Sequence, residues 1–327
     1  MKIEKLRCSI VVLNHNGRDL LEIFMPSILD AVEFDGGGHE VIIVDNGSSD
    51  GSQEFIRNKF PSVRMIALPH NEHMQGYNAG IKASQNEIVI VLNNDIKVDR
   101  GFIRPLLLPF SNPRLFAVRP AIHTITGGTV TKAGLSHVGL CFKFGFIEQL
   151  YLEAKTEEEG QLSRLAFCVP GGAGAFDKNK FLELNGFDDL FSPFYWEDVD
   201  LSYRAWKRGW KILFEPKSVL YHQTHSTISR IYPGAYIERI AERNRYILIW
   251  KNILDKKLLF YHFCWIPLRL AGLLITGQWH RLPALFLALR ELGKINARRK
   301  RELQEAKKSD IELFSFFAEM MKDGTKW

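Results

Sequence analysis

The 327-residue sequence predicts an α/β protein on a mostly parallel, twisted sheet with helices on both faces. Two observations carry this expectation. Four short, largely apolar runs, CSIVVL (8–13), EVIIVD (40–45), VRMIAL (63–68) and EIVIVL (87–92), read as strands, the first two as strands buried on both faces. Between them the spacing turns helical, so strand and helix alternate through the first hundred residues. In such sheets ligands bind beyond the carboxyl ends of the strands.

The elements follow in order. The first strand ends at NHNG, and RDLLEIFMPSIL (18–29) keeps helical spacing despite Pro26. The second ends at DNGSSDGS, where turn and cap residues precede a helix within 46–60. GYNAGIKAS (76–84) opens another helix after the third strand, and the fourth strand ends at NNDIKV. Each polar strand end alone is ordinary turn chemistry. Three of them on one edge point to a ligand site.

Composition sets bounds. Hydrophobic residues make up 46% and charged residues 24%, enough for a substantial core. A net charge of +6 suits an anionic substrate or membrane surface and does not call for nucleic acid. Cys8, Cys141, Cys168 and Cys264 lack paired spacing, which fits a reducing compartment and no zinc site. The apolar run near the N-terminus is too short for a signal peptide, so the cytoplasm is expected.

SIVVLNHNG, EVIIVDNGSSDGS, NEHMQGYNAGI, VLNNDIKV, GFDDLFSPFYWEDVDLSYRAWKRG and VLYHQTHSTIS occur in the order found in family 2 glycosyltransferases. The chain resembles that family over about residues 8–250, most nearly the rhamnosyltransferase-like branch of bacterial surface polysaccharide synthesis. The resemblance implies a GT-A fold with a Rossmann-like sheet, a nucleoside-diphosphate sugar donor, Mg²⁺ or Mn²⁺, and inversion at the anomeric carbon. A domain over 1–250 and a helical, basic C-terminal region over 251–327 are expected.

The resemblance also implies residue roles. Asp45 matches the family's base-contacting Asp, and a carboxylate accepts from an imide N–H or ribose hydroxyls. Asn14 and Asn16 end the first strand and are candidates for the same pocket. Asn71 and Asn78 match the asparagines of a family loop pattern in which His73 replaces a glycine. The family's D-x-D position reads Asn93-Asn94-Asp95 here, giving Asp95 as metal ligand and Asn93 and Asn94 as donor-site neighbours. Gly171 and Gly172, within VPGGAGAF (169–176), fall where the family brings a glycine-containing segment near the sugar. His222 matches a family histidine near the diphosphate and metal. His225 is either a further ligand or a loop residue. Arg204 and Arg230 are candidates for phosphate neutralisation, with a surface ion pair the alternative for Arg204.

Three acids sit in FYWEDVDLSYRAW. Asp200 also suits the positive end of a helix. The aromatic lead-in PFYW desolvates Asp198 and raises its pKa toward that of a useful base. Asp198 is therefore the expected base, with Glu197 orienting it or the acceptor. A nucleotidyltransferase and a non-catalytic sugar-nucleotide or glycan binder remain as alternatives. The first would favour a glycine- and arginine-rich loop that LNHNGRDL lacks.

Beyond residue 257, LLFYHFCWIPLRLAGLLITG (258–277) is long enough to span a bilayer but carries His262, Pro267 and a costly central Arg269. RLPALFLALREL (281–292) and the basic KINARRKR (294–301) follow. These segments predict peripheral attachment to an anionic inner membrane face, near a polyprenyl-linked or other glycan acceptor. Packing on the catalytic domain or on another subunit of an oligomer is the alternative.

Overall fold

The computed structural model describes residues 6–126, 129–131, 136–153, 160–223 and 231–323. Its first hundred residues form β1 (Cys8–Asn14), α1 (Arg18–Phe34), β2 (Glu40–Asn46), α2 (Ser52–Lys59), β3 (Arg64–Leu68), α3 (Gly76–Ala83), β4 (Ile88–Asn93) and the short β5 (Ile96–Val98). β1 lies between β2 and β4, parallel to both, and β3 extends the sheet beyond β2. Successive side chains of β1 enter different cores, Ile10 and Val12 on one face and Val11 on the other. Burial on both faces is why β1, β2 and β4 read as continuous apolar runs, whereas β3 is partly exposed at the sheet edge. Leu21, Phe24, Met25, Ile28 and Ala31 form the buried stripe of α1 at helical spacing, and Pro26 is accommodated within that helix.

The rest of the sheet is mixed. α4 (Ile103–Leu107) leads to β6 (Leu115–Thr126) and β7 (Thr129–Thr131); β8 (Ser136–Lys143) and β9 (Phe146–Glu153) form a separate hairpin. After β10 (Arg164–Leu165), β11 (Ala173–Asp177) inserts antiparallel between β4 and β6. The second half of the glycine-rich segment is thus a strand. α5 (Lys178–Glu183) and α6 (Glu197–Lys207) precede β12 (Lys211–Gln223), which runs parallel to β6 and pairs antiparallel with β5. The sheet order is β10-β12-β6-β11-β4-β1-β2-β3.

Among the described residues beyond β12 lie α7 (Gly234–Asn252), α8 (Lys256–Ile275), α9 (Pro283–Leu289), α10 (Leu292–Glu305) and α11 (Asp310–Asp323). α10, α11 and the segment between them grip the far end of α6. Lys207 Nζ lies 2.5 Å from Asp310, and Arg208 pairs with Glu302 at 2.8 Å and with Glu305. The Lys207 carbonyl also accepts the amides of Lys307 and Lys308. Buried cations of this kind require partners, so α10 and α11 complete the surroundings of α6. The cysteines are free.

Candidate active site

The floor of the site forms where β1, β2 and β4 end together. Parallel register sets Asn14 beside Asp45 and Leu13 beside Asn93. The Asn14 amide donates to Asp45 at 3.2 Å and to Ser48 Oγ at 3.3 Å, while its oxygen accepts from Asn94 at 2.7 Å. The fully buried Asp45 carboxylate also accepts from the Ser48 amide and from Gln53 Nε2. Protein donors therefore already engage both of its oxygens, and Asp45, Asn14 and Asn16 do not line the cleft described next. Asn16 instead accepts from the Ser49 amide at 2.8 Å and holds the β2–α2 loop.

A cleft of about 400 Å³ opens above this edge. Of the expected residues, Asn71, Asn93, Asn94, Asp95, Gly171, Gly172, Glu197, Asp198 and His222 line it. Asn78 does not. Its side chain accepts from the Phe187 amide at 3.0 Å and donates to the Phe187 carbonyl at 2.9 Å, pinning a distant loop to α3. Asn78 therefore acts in the fold as a backbone clamp set apart from the cleft lining. His225 and Arg230 lie outside the described residues.

Asn46 arranges one wall. It accepts from the Glu72 amide and donates to Asn71 Oδ1 and the His73 carbonyl. His73 takes a φ of +52°. That left-handed backbone costs an L-residue about 1–2 kcal/mol and explains why a glycine is the usual occupant. Burial, with His15 nearby, depresses the His73 pKa and keeps its ring neutral. His15 lines the cleft from between Asn14 and Asn16.

Asp95 and His222 meet because β5 pairs antiparallel with β12, opposing Ile96 and His222. His222 Nε2 lies 3.2 Å from Asp95 Oδ2. The hydrogen bond to Asp95 raises the His222 pKa. The other Asp95 oxygen is buried without a hydrogen-bond partner. One carboxylate and one imidazole with a spare buried oxygen fit a divalent cation whose remaining ligands come from substrate and water. Among the described residues no cluster of three or more His, Cys, Asp or Glu side chains is arranged to hold a metal.

β11 brings the glycines against β4. The Asn93 amide donates to the Gly172 carbonyl at 2.8 Å, and Tyr77 Oη donates to Asn93 Oδ1 at 2.9 Å. A Cβ on Gly172 would fall 2.2 Å from that same Asn93 oxygen. Only glycine admits so close an approach.

The acids begin α6. Tyr195 and Trp196 precede them with φ of +70° and +75°, two consecutive left-handed residues. Two neighbours on α7 hold this entry. Asn244 donates to the carbonyls of Phe191, Phe194 and Tyr195, and Arg243 to those of Leu190 and Ser192. Glu197 is buried with Oε2 unpartnered. Burial, and secondarily the Asp198 charge, push its pKa up to about 8. Asp198 accepts from the Val199 amide at 2.7 Å, and burial raises its pKa as well.

Asp200 faces inward, to Arg204, Lys251 and Asn252, and is fully buried. Arg204 also donates to the carbonyls of Leu184 and Gly186. Arg204 is thus a buried structural cation, neither a surface ion pair nor a lining residue of this cleft. Phe194 and Tyr195 of the PFYW lead-in also line the cleft, as do Tyr232 and Met74, which were not singled out in the sequence.

A mixed α/β sheet with a polar cleft at its strand ends and a helical C-terminal region is an architecture of the GT-A type. The model of Glycosyl transferase family 2 matches residues 9–180, and the chain belongs to that family. The chain is 28% identical over 242 residues to the N-acetylglucosaminyl-diphospho-decaprenol L-rhamnosyltransferase of Mycobacterium tuberculosis, covering 67% of this chain and 76% of the relative. Two solved structures share the fold. GalNAc-T7 with UDP, GalNAc and Mn²⁺ superposes with a TM-score of 0.62 at 20% identity, over 78% of this chain and 50% of that one. Staphylococcus aureus TarS 1–349 in complex with UDP-GlcNAc gives 0.56 at 13% identity, over 98% and 93%. Family membership sets aside the nucleotidyltransferase and non-catalytic alternatives.

Proposed function

We propose that the protein transfers a sugar, with inversion, from a nucleoside-diphosphate sugar to a hydroxyl of a glycan or polyprenyl-linked acceptor in cell-surface polysaccharide synthesis. The observation that carries the proposal is that the Glu197–Asp198 acid pair and the Asp95–His222 pair line one cleft. The donor's base and sugar occupy the side of Asn71, Asn93 and Asn94, with Gly171 and Gly172 at the sugar. A dTDP-rhamnose or UDP-hexose donor is consistent with the relatives described above. Asp45, Asn14 and Asn16 support the nucleotide side through the loops they hold.

Asp198 takes the proton of the acceptor hydroxyl as that oxygen attacks the anomeric carbon opposite the leaving diphosphate. Glu197, uncharged at neutral pH, orients the hydroxyl without competing for its proton. One displacement inverts the centre, so no enzyme nucleophile is required. Asp95 and His222 would hold Mg²⁺ or Mn²⁺, which supplies Lewis-acid stabilisation of diphosphate charge when bound. The acceptor's lipid would bring the reaction to the cytoplasmic membrane surface, where the protein is peripheral.

The test is a panel of nucleotide sugars with Mg²⁺ or Mn²⁺, read by ligand-detected binding and by nucleoside diphosphate release with acceptor. Release that depends on acceptor, with product of inverted configuration, is expected. Retained configuration, or binding of no nucleotide sugar, would refute the assignment.

A further inference from the structure

We infer that α8 and the turn after it form a docking face for an anionic lipid surface, lying in the plane of the headgroups without crossing the bilayer. The inference extends the proposed membrane setting and rests on it. Among the described residues α8 is the one helix long and apolar enough to cross a membrane. Its polar residues nevertheless anchor one side of it to the protein.

Arg269 forms a bidentate pair with the buried Glu242, one contact at 2.5 Å, and its guanidinium lies over the Phe146 ring. His262 is fully buried. Its Nε2 accepts from Trp250 Nε1 at 2.9 Å, so the proton sits on Nδ1, which faces the Gly145 carbonyl at 2.7 Å. Burial lowers the His262 pKa to about 4, leaving the ring uncharged at neutral pH. Both groups that argue against an apolar segment in the sequence are thereby spent inside the fold.

Beyond Lys256 and Lys257 the opposite side is uncharged. Phe260, Tyr261, Phe263, Leu268, Leu274 and Ile275 are exposed, Phe260 to 73% and Ile275 to 86%. Trp279 continues this face past the end of α8 at 65% exposure. Phe144, at the tip of the β8–β9 hairpin, adds an exposed ring packed on Trp265 with centroids 4.9 Å apart. Gly145 makes this seat possible: its φ is +78°, and a Cβ there would come within 2.9 Å of Trp265 Cβ. Aromatic residues at the edge of an apolar face suit the headgroup level of a bilayer.

Two arguments select the occupant. A spanning orientation would pull Arg269 off the buried Glu242 and leave that carboxylate only Arg245, 3.8 Å away, whereas an in-plane helix keeps the bidentate pair. The 35 residues from Lys256 to Arg290 contain no Asp or Glu; Arg269 and Arg281 are paired with Glu242 and Glu238 elsewhere in the fold, and Lys256, Lys257 and Arg290 are the cations left to face a partner. A symmetric contact with a second copy would set these cations against each other with no carboxylate from the same segment between them. An anionic leaflet supplies the missing charge, at about fivefold in binding per basic residue near the surface.

The experiment is flotation of full-length protein with phosphatidylcholine vesicles, with and without phosphatidylglycerol. Binding to the anionic vesicles is expected, weakened by high salt. Phe260→Asp combined with Leu268→Asp should lower vesicle partition by at least about tenfold. Ile23→Asp, at an exposed apolar site on α1, should leave it unchanged. Lys256→Glu with Lys257→Glu should lower binding to anionic vesicles alone. Thermal melting confirms that each variant folds. Absence of flotation with every vesicle, or an equal loss in Ile23→Asp, overturns the inference. A dimer in sedimentation velocity that the Phe260 and Leu268 substitutions dissociate would overturn it in favour of a second copy. Nucleotide-sugar titrations of the same samples keep the two proposals separate: lost donor binding with retained flotation refutes the transferase proposal alone.

Discussion

Asp310→Ala should destabilise the whole protein, although Asp310 lies far along the chain from the cleft residues. Its carboxylate, 1% exposed, accepts from Tyr203 Oη at 2.7 Å, Lys207 Nζ at 2.5 Å, and the amides of Leu254 and Asp255 at 2.6 and 2.7 Å. Truncation leaves the Lys207 ammonium buried with no carboxylate. Breaking a buried pair from one side costs about 3–5 kcal/mol. Each orphaned amide would add about 1–3 kcal/mol if it stayed dry, but water entering the cavity offsets much of this. A loss of about 3–5 kcal/mol is therefore expected overall. Asp310→Asn retains an acceptor for the amides and should lose less. Urea unfolding followed by tryptophan fluorescence and circular dichroism gives the shift in midpoint. A loss below about 1 kcal/mol would refute the argument that this pair is dry and tightly held. So would a separate early transition of the C-terminal helices that leaves α6 intact. By the same reasoning, removing everything after Lys257 strips Lys207 and Arg208 of their partners. Such a truncation tests stability as much as membrane release.

Asp198→Asn should keep donor binding while transfer falls by about two to four orders of magnitude, measured by diphosphate release with acceptor; wild-type transfer would remove Asp198 as base. The transfer rate should rise with pH through a limb above the ordinary carboxylate range, because burial raises the Asp198 pKa. Glu197 carries a stability signature of definite sign. Its pKa rises from 4.5 unfolded to about 8 folded, so its contribution is fully present below 4.5 and is lost as pH rises through 8. Glu197→Gln should flatten that slope in unfolding measured across pH. Asp95→Asn and His222→Ala should each weaken Mn²⁺ binding by calorimetry in the presence of nucleoside diphosphate, and chelator should abolish wild-type turnover. Gly172→Ala, by displacing Asn93, should impair donor binding; unaltered affinity would show that the close packing there is dispensable.

The parallel strands were legible because β1, β2 and β4 are buried on both faces and each ends in polar residues. Asn93-Asn94-Asp95 and the Glu197–Asp198 pair were legible for the same local reason: polar groups abutting apolar runs. Partnership across long separations was not. Nothing around Asn78 announces that Phe187 will take both ends of its amide, and nothing around Arg204 announces the Leu184 and Gly186 carbonyls. Asp45 reads as an open carboxylate until Asn14, Ser48 and Gln53 converge on it. VPGGAGAF does not announce a strand because its neighbours, β4 and β6, are supplied by distant parts of the chain. His15 and Asn46 had a usable signal, since each adjoins a strand-end residue already singled out. Tyr195 was flagged only as part of the PFYW lead-in to Asp198, and Tyr232 had no signal.

The cleft is built from two separately anchored pieces. One wall grows from the ends of β1, β2 and β4, while Phe194 and Tyr195 hang from the single amide of Asn244 on α7. Their spacing is consequently a property of how α7 seats against the sheet, and of neither wall's own composition. Anyone building hybrids between this chain and a relative, to exchange acceptor preference, should move α7 together with the loop it suspends. Transplanting the loop alone would import new side chains into an aperture set by the wrong hinge post.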